Sequence, residues 1–328
     1  MNKKWLAVGI ILLFVGTCII PAIAQHTEKP LPTSRWNWLY VGGSGPGNYT
    51  RIQDAIDNAS DGDTVFVYNG TYPGSVHINK TISLIGENKE TTIIDGNGRD
   101  PVVFIDYCIS SVTIQGFTIT HGSPGIEIWY YANHTTISDN IVTTNVGGIC
   151  IYGTHNNTIQ KNTITSNGAY GICSSYWCAD NTIKNNTIQD HDHGIYLDSG
   201  FWSNMIIGNN LSNNRDHSIY LFQSDNNIIE MNTIENIAPG ICHRNSIRKN
   251  NFIGQVPHVT CLTSFMNIWD ANYWDDWIGL KWNGPIAQKL PKVLVCYLLP
   301  WNTGLSAFPY LNFDWHPAQE PYDIPGAK

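Results

Sequence analysis

The sequence predicts an all-β protein, a parallel β-solenoid of short strands stacked rung upon rung, and three observations predict it. Units that align at a Thr-Ile-like dipeptide begin at Thr113, Thr136, Thr158, Thr182, Met205, Ile228 and Ser246, in steps of 23, 22, 24, 23, 23 and 18 residues. Four apolar columns run through these units. Two Asn columns run beside them, Asn140, Asn162, Asn186, Asn209, Asn232 and Asn250, and Asn157, Asn181, Asn204, Asn227 and Asn245.

The apolar columns set the strands. The first is Ile114, Ile137, Ile159, Ile183, Ile206, Ile229 and Ile247; the second is Ile119, Val142, Ile164, Ile188, Leu211, Ile234 and Phe252. The third is Ile126, Ile149, Ile172, Ile195, Ile219 and Ile241, and the fourth is Ile128, Ile151, Ser174, Leu197 and Leu221. The third and fourth lie two residues apart, which is strand alternation. A unit with two or three such strands cannot bury its own apolar face. Copies stacked at the inter-strand spacing of about 4.8 Å can. The Asn columns set the bends: Asn tolerates unusual backbone angles, and stacked amides can hydrogen-bond along the column. Gly125, Gly148, Gly171, Gly194 and Gly240 mark another corner, where the reading expects positive φ.

The two ends need covers, because open rungs expose strand edges and core. Ile52, Ala55, Ile56 and Ala59 recur at helical spacing within 49–59, which predicts a short amphipathic helix over the first rung. An Asp-Gly turn at 61–62 then leads into the first rung. The period is lost from about Gly254, and 267–315 is rich in aromatics: Trp269, Tyr273, Trp274, Trp277, Trp282, Trp301, Phe308, Tyr310, Phe313 and Trp315. These read as a cover for the last rungs or as a platform for sugars, whose apolar faces pair with exposed rings. The expected organisation is a signal peptide at 1–24, a linker at 25–39, the β-helix at 40–254 with regular repeats at about 112–254, and an aromatic C-terminal segment at 255–328.

Location follows from the N-terminus. Lys3 and Lys4 precede an apolar run from Trp5 to Ile20, and Ala22-Ile23-Ala24 is an A-x-A-like cleavage site. The run is short for a membrane span of roughly 20 residues. The expectation is a secreted or cell-surface protein without a membrane span after cleavage; an uncleaved anchor is the rival. Sequons at Asn48, Asn58, Asn69, Asn79, Asn133, Asn156, Asn185 and Asn210 agree with a glycoprotein. The charged fraction is only 13%, with 35 Asn, and the formal net charge is -8. An acidic chain without a basic run is no nucleic-acid binder. The eight Cys show no C-x-x-C spacing, so they are not zinc ligands. Cys150 and Cys173 share an outward column with Glu127, Tyr196, Tyr220 and Cys242, and consecutive rungs bring the first two within disulfide range or leave them as an unlinked pair.

The segments TISLIGENKETTIIDG (81–96), VTIQGFTIT (112–120) and GIYLDSGFWSNMIIGNNLSNN (194–214) resemble the NosD-like family of the pectin-lyase-like superfamily, over roughly residues 40–255. The resemblance implies a right-handed parallel β-helix on a bacterial or archaeal cell surface. It specifies fold better than function, because the fold hosts lyases, hydrolases, adhesins and non-catalytic proteins. The family name implies copper handling, yet Met205, Met231 and Met266 are scattered and give copper no support.

One constellation carries candidate chemistry. Asp192-His193 and Asp216-His217 lie one period apart beside the Gly194 and Ser218 corners, with His191 and Arg215 preceding them. Asp192, His193, Asp216 and His217 are the candidate ligands of Ca²⁺ or another divalent cation. Asp192, Arg215 and Asp216 are the candidate catalytic set of a lyase or hydrolase; Asp192 with Asp216, or Asp198 with Asp225, would supply the paired carboxylates. The same spacing also describes a solvated polar corner. Tyr196, Tyr220, Trp274 and Trp277 are the candidate ligand-binding rings. The leading expectation is a non-catalytic surface protein whose partner is a glycan or another envelope component; the alternative is an enzyme at the 192–217 corner.

Overall fold

The computed structural model describes residues 37–254, 256–277, 291–298 and 308–324. Almost all are strand or bend, wound into a parallel β-solenoid of about ten turns. The signal peptide, most of the linker, Trp282 and Trp301 lie outside the described residues, and among those described no helix is long and apolar enough to cross a membrane.

Each typical coil has three short strands. The Thr-Ile dipeptides form one face, in which Thr136–Ser138 pairs with Thr113–Gln115 below and Thr158–Gln160 above. Strands such as Thr163–Thr165 and Thr187–Gln189 build the second face, a ten-stranded sheet. The longer strands Gly147–Tyr152, Tyr170–Ser175, His193–Asp198 and His217–Phe222 build the third. Ile137, Ile159, Ile183, Ile206, Ile229 and Ile247 point inward in register and are essentially inaccessible. Burying such a side chain fully contributes about 1.5–3 kcal/mol.

The bends are built differently from the sequence expectation. Positive φ falls on the residue before each Asn, as at Asp139, Lys161, Asn185, Asp180 and Asn226. The corner glycines Gly125, Gly148, Gly171, Gly194 and Gly240 are not in that region. They answer a need for space: a Cβ on Gly148 would stand 2.2 Å from the Gly171 carbonyl oxygen. The Asn amides are buried and form ladders along the axis. Asn186 Oδ1 accepts from the backbone N–H of Asn162 (3.0 Å) and from its Nδ2 (3.0 Å). Asn186 Nδ2 donates to the Ile159 carbonyl (2.9 Å) and to Asn209 Oδ1 (3.0 Å). A third ladder, not anticipated, runs through Asn145 and Asn167.

The 18-residue step also moves the columns. Ile219 pairs with Ile237 and Leu221 with Pro239, so Ile237, not Ile241, continues the third apolar column. Ala238 therefore follows Tyr220 on the outward column, and Cys242 is buried at a bend with its thiol against the Leu221 and Gly240 carbonyls. Only two residues, Glu235 and Asn236, separate Ile234 from Ile237 on that coil. The deletion has removed the corner that would have covered Asp216 and His217.

Both ends are closed. The helix Ile52–Asn58 buries Ile52, Ala55 and Ile56 against the core. Its last carbonyls need partners, and Lys80 Nζ donates to those of Ile56, Asp57 and Ala59 at 2.7–3.0 Å. At the other end the ladders continue past Gly254. Trp269 stacks in register on Ile247 and Trp274 on Phe252, with Asn272 above Asn250. The buried Asp314 carboxylate ends that Asn ladder: its Oδ2 accepts from Asn272 N and Nδ2 and from Trp274 Nε1, each at 3.0 Å. Asp314 lies on Phe308–Asp314, which is antiparallel to Lys292–Leu298.

Asn186→Ala should cost about 3 kcal/mol, because it orphans several buried groups at roughly 1–3 kcal/mol each. Lys184→Gln on the outward face of the same coil should stay within about 0.5 kcal/mol. Urea unfolding of both variants decides it; equal losses would refute the ladder's role.

Candidate functional site

The third face carries the candidate site because its outward residues stack in columns of like side chains. His193 registers with His217, Tyr196 with Tyr220 and Asp198 with Phe222. The imidazoles of His193 and His217 lie parallel at 5.5 Å between centroids, with 2° between planes. The rings of Tyr196 and Tyr220 stack at 4.8 Å and 7°. Tyr170, which the sequence reading passed over, extends the stack at 4.7 Å from Tyr196 and lies beside His193. Burial pushes the Tyr196 phenol up to about 12, helped by Asp198, and burial raises Tyr220 too. Both hydroxyls remain donors at neutral pH.

The charged residues around this stack pair with one another. Arg215 Nη1 contacts Asp192 Oδ1 at 2.7 Å, so the guanidinium separates the carboxylates that the spacing would have stacked. His193 Nε2 stands 3.7 Å from Asp216 Oδ2. The Nδ1 atoms of His193 and His217 are buried without a partner. Burial lowers both histidines, so each is neutral at pH 7. Asp198 accepts from Ser199, and Asp225 accepts from the backbone N–H of His243; these two carboxylates have separate local roles. Asp192, His193, Asp216 and His217 do not gather three ligand atoms around one point.

Among the described residues, the one such group is His258, Asp275 and Asp276, whose ligand atoms lie within 4.8 Å of one another. His258 Nδ1 faces the Glu235 carbonyl at 2.5 Å, and Nε2 faces Asp275 Oδ1 at 2.7 Å. Lys292 Nζ already contacts Asp276 Oδ1 at 2.7 Å, so a metal ion would have to displace an ammonium group. This set was not anticipated, because the repeat that brings residues of successive coils into register is no longer visible in the sequence beyond about Gly254.

The shortened coil leaves a groove of about 320 Å³ beside the Tyr stack. His217, Tyr220 and Phe222 form one side, Ala238, Pro239 and Gly240 the floor, and Thr260 and Leu262 part of the other side. The lining is mostly apolar. Trp274 takes no part. It is 2% exposed, its ring lies on Phe252 at 4.0 Å, and its indole N–H is bound to Asp314, so it closes the core and has no free face for a sugar. Trp277 packs partly buried against the same core. Exposed rings lie elsewhere, among them Tyr107, Trp129, Tyr131, Tyr176, Trp177 and Trp202 on the solenoid and Phe265, Tyr297 and Trp315 towards the C-terminal end.

His191 does not sit in line with Arg215. It occupies an Asn slot of the third ladder, where Asn167 N donates to its Nδ1 at 3.2 Å and its Nε2 faces the Ile164 carbonyl at 3.1 Å. The Asn167 carbonyl oxygen also lies 2.9 Å from Nδ1. The imidazole lacks an amide's second N–H, and Asn214 Oδ1 in the next slot is buried without a partner.

A family model described as periplasmic copper-binding protein (NosD) matches residues 56–279. No curated protein matches significantly. Among solved structures, the full-length tailspike protein 2 of Escherichia coli O157:H7 bacteriophage CAB120 is similar at 14% identity and a TM-score of 0.53, covering 71% of this chain and 37% of that one. The enzymatically active domain of bacteriophage CBA120 tailspike protein 2 gives 14% identity and a TM-score of 0.50, covering 71% and 41%. ORF18 of Geobacillus virus E2 gives 18% identity and a TM-score of 0.46, covering 68% of this chain and 53% of its own length. This chain thus spans about half of that viral protein or less than half of the tailspikes, and the likeness is one of fold.

Apart from the facing Cys261 and Cys296 thiols, the described residues do not gather the imidazole and sulfur donors that copper prefers. Met205, Met231 and Met266 lie on separate coils. The thiols of Cys178 and Cys242 are held by backbone carbonyls, and the three-ligand group offers one nitrogen and two oxygens.

His191→Asn should restore a partner to Asn214 Oδ1 and stabilise the fold by about 1 kcal/mol at pH 7.5. Burial lowers His191, so the unfolded chain binds the proton more readily than the folded one. The stability it supports is complete above the ordinary histidine value of about 6.5 and is lost as pH falls through the depressed value. The variant should therefore lose less stability than the parent between pH 7.5 and 5. Thermal melts across that range check this; parallel curves would rule it out.

Proposed function

The chain belongs to the NosD family, and from that premise we propose that it is an envelope-associated β-helix protein that holds a glycan in the groove beside Tyr220. The observation that carries this reading is the step from Tyr196 and Tyr220 to Ala238 on one outward column. It exposes the edge of a stacked aromatic pair above a floor of small residues. Sugar rings have apolar faces that pack on aromatic rings and hydroxyls that need directed partners. The Tyr220 hydroxyl is of the type that meets a sugar hydroxyl, and the ring of His217 lines the same groove. The family's periplasmic description supports an exported location.

The reading is binding without cleavage. The acidic candidates Asp192 and Asp216 each have a neighbour of their own, Arg215 and His193, and neither carboxylate lines the groove. The His258–Asp275–Asp276 group is a candidate site for a divalent ion of the nitrogen-and-oxygen type, separate from the glycan reading.

A glycan array with and without Ca²⁺ should yield a ligand. Tyr220→Ala should then weaken its titrated affinity about tenfold, equivalent to about 1.4 kcal/mol. Ala238→Trp should fill the groove and abolish binding, and Trp202→Ala should leave it unchanged, all with melting points near the parent's. Binding that survives Ala238→Trp would refute the groove. Chain cleavage that disappears in Asp216→Ala would replace the proposal with an enzyme.

A further inference from the structure

Cys150 and Cys173 occupy facing positions on adjacent parallel strands, and they are bridged across a Cα separation of 4.6 Å. Cys261 and Cys296 stand in the same relation on Cys261–Leu262 and Lys292–Leu298, and both are fully buried. Their surroundings differ from those of the other buried thiols. Cys178 and Cys242 each have two carbonyl partners, whereas Cys261 and Cys296 meet side chains. Cys261 Sγ lies 3.4 Å from the Tyr310 hydroxyl, and Asn312 Nδ2 donates to Cys296 Sγ at 3.2 Å. Each thiol perturbs the other: Cys296 is held below its usual range first by Cys261 and then by Asn312 and Tyr310 against the opposing effect of burial, and Cys261 is pushed up. The strand register thus sets the two sulfurs together, which is what a rung-to-rung bond requires.

We propose that Cys261 and Cys296 form a second rung-to-rung disulfide, which fastens the C-terminal hairpin to the solenoid. Thr260, Leu262 and Thr263 flank Cys261 and line the groove, so the bond also anchors the groove's outer wall. The chemistry balances with a small disulfide such as oxidised glutathione as oxidant. Cys296 thiolate attacks one of its sulfurs, forms a mixed disulfide and expels a thiolate. Cys261 gives up its proton to that thiolate, attacks the Cys296 sulfur and releases the second thiol. Two protein thiols are oxidised and one small disulfide becomes two thiols. The burial of both sulfurs places this step during folding, before the hairpin docks.

The full chain, refolded from urea with oxidised and reduced glutathione, should give a peptide pair linking Cys261 to Cys296 in an unreduced digest, absent after reduction. After denaturation without reduction, neither residue should take up a maleimide. Cys261→Ser and Cys296→Ser should each lower the melting point by the same several degrees, and the double variant no further. In a Cys150→Ser/Cys173→Ser background, which removes the other disulfide, reduction should produce the same shift, and Cys108→Ser in the parent should produce none. Quantitative labelling of both residues in the refolded parent would overturn the proposal, as would linkage of either to Cys108. Retention of a stoichiometric soft metal ion with both thiols intact would also overturn it. If the variants fail to fold, the linked peptide of the parent decides alone.

Discussion

The buried amide ladders are the constraint on which the rest of the molecule depends. A bend turns the chain away from its strand ladder and strands backbone N–H and C=O groups in the interior, where leaving them unpaired costs roughly 1–3 kcal/mol each. Asn answers with one acceptor and one two-hydrogen donor in a short side chain. Asn162, Asn186 and Asn209 each bind the coil before and the coil after. That fixes every bend directly over the last and leaves the strands between the bends no freedom of register. The isoleucine columns inside, and the columns of like residues outside, follow from that alignment.

What the sequence made legible follows the same logic. Side chains that repeat because the backbone demands them, such as Ile137 over Ile114 or Asn186 over Asn162, are visible as columns. Substitutions that keep the geometry but change the residue type are not. His191 replaces an Asn, which hides the third ladder, and Trp269 and Trp274 replace Ile and Phe, which hides the continuation of the apolar columns past Gly254. The 18-residue step was visible, but its length alone does not tell which corner is missing, so Ile241 and Gly240 were placed one segment away from Ile237 and Asn236. The pairing of Arg215 with Asp192, and the seclusion of Trp274, depend on rotamers and on a distant hairpin that periodicity does not encode.

The candidate site comes from an interruption of the repeat. On a perfectly regular face the Tyr column would continue upward, and a further corner would lie over His217. Here that corner is absent, Ala238 follows Tyr220 on the next coil, and His217 lines the resulting groove. The Asn ladders on the other bends run unbroken across the shortened coil. The scaffold tolerates such a change because each coil contacts only its neighbours.

The two closures have a consequence at the scale of many molecules. A stack of parallel strands within one chain is also a template onto which another chain could add, and a repeated addition would give fibres. Here one end presents the helix Ile52–Asn58 and the other an antiparallel hairpin whose carboxylate, Asp314, has already taken the ladder's last donors. Among the described residues the two ends differ in kind, a short helix at one and an antiparallel hairpin at the other, so neither offers its opposite a matching parallel ladder.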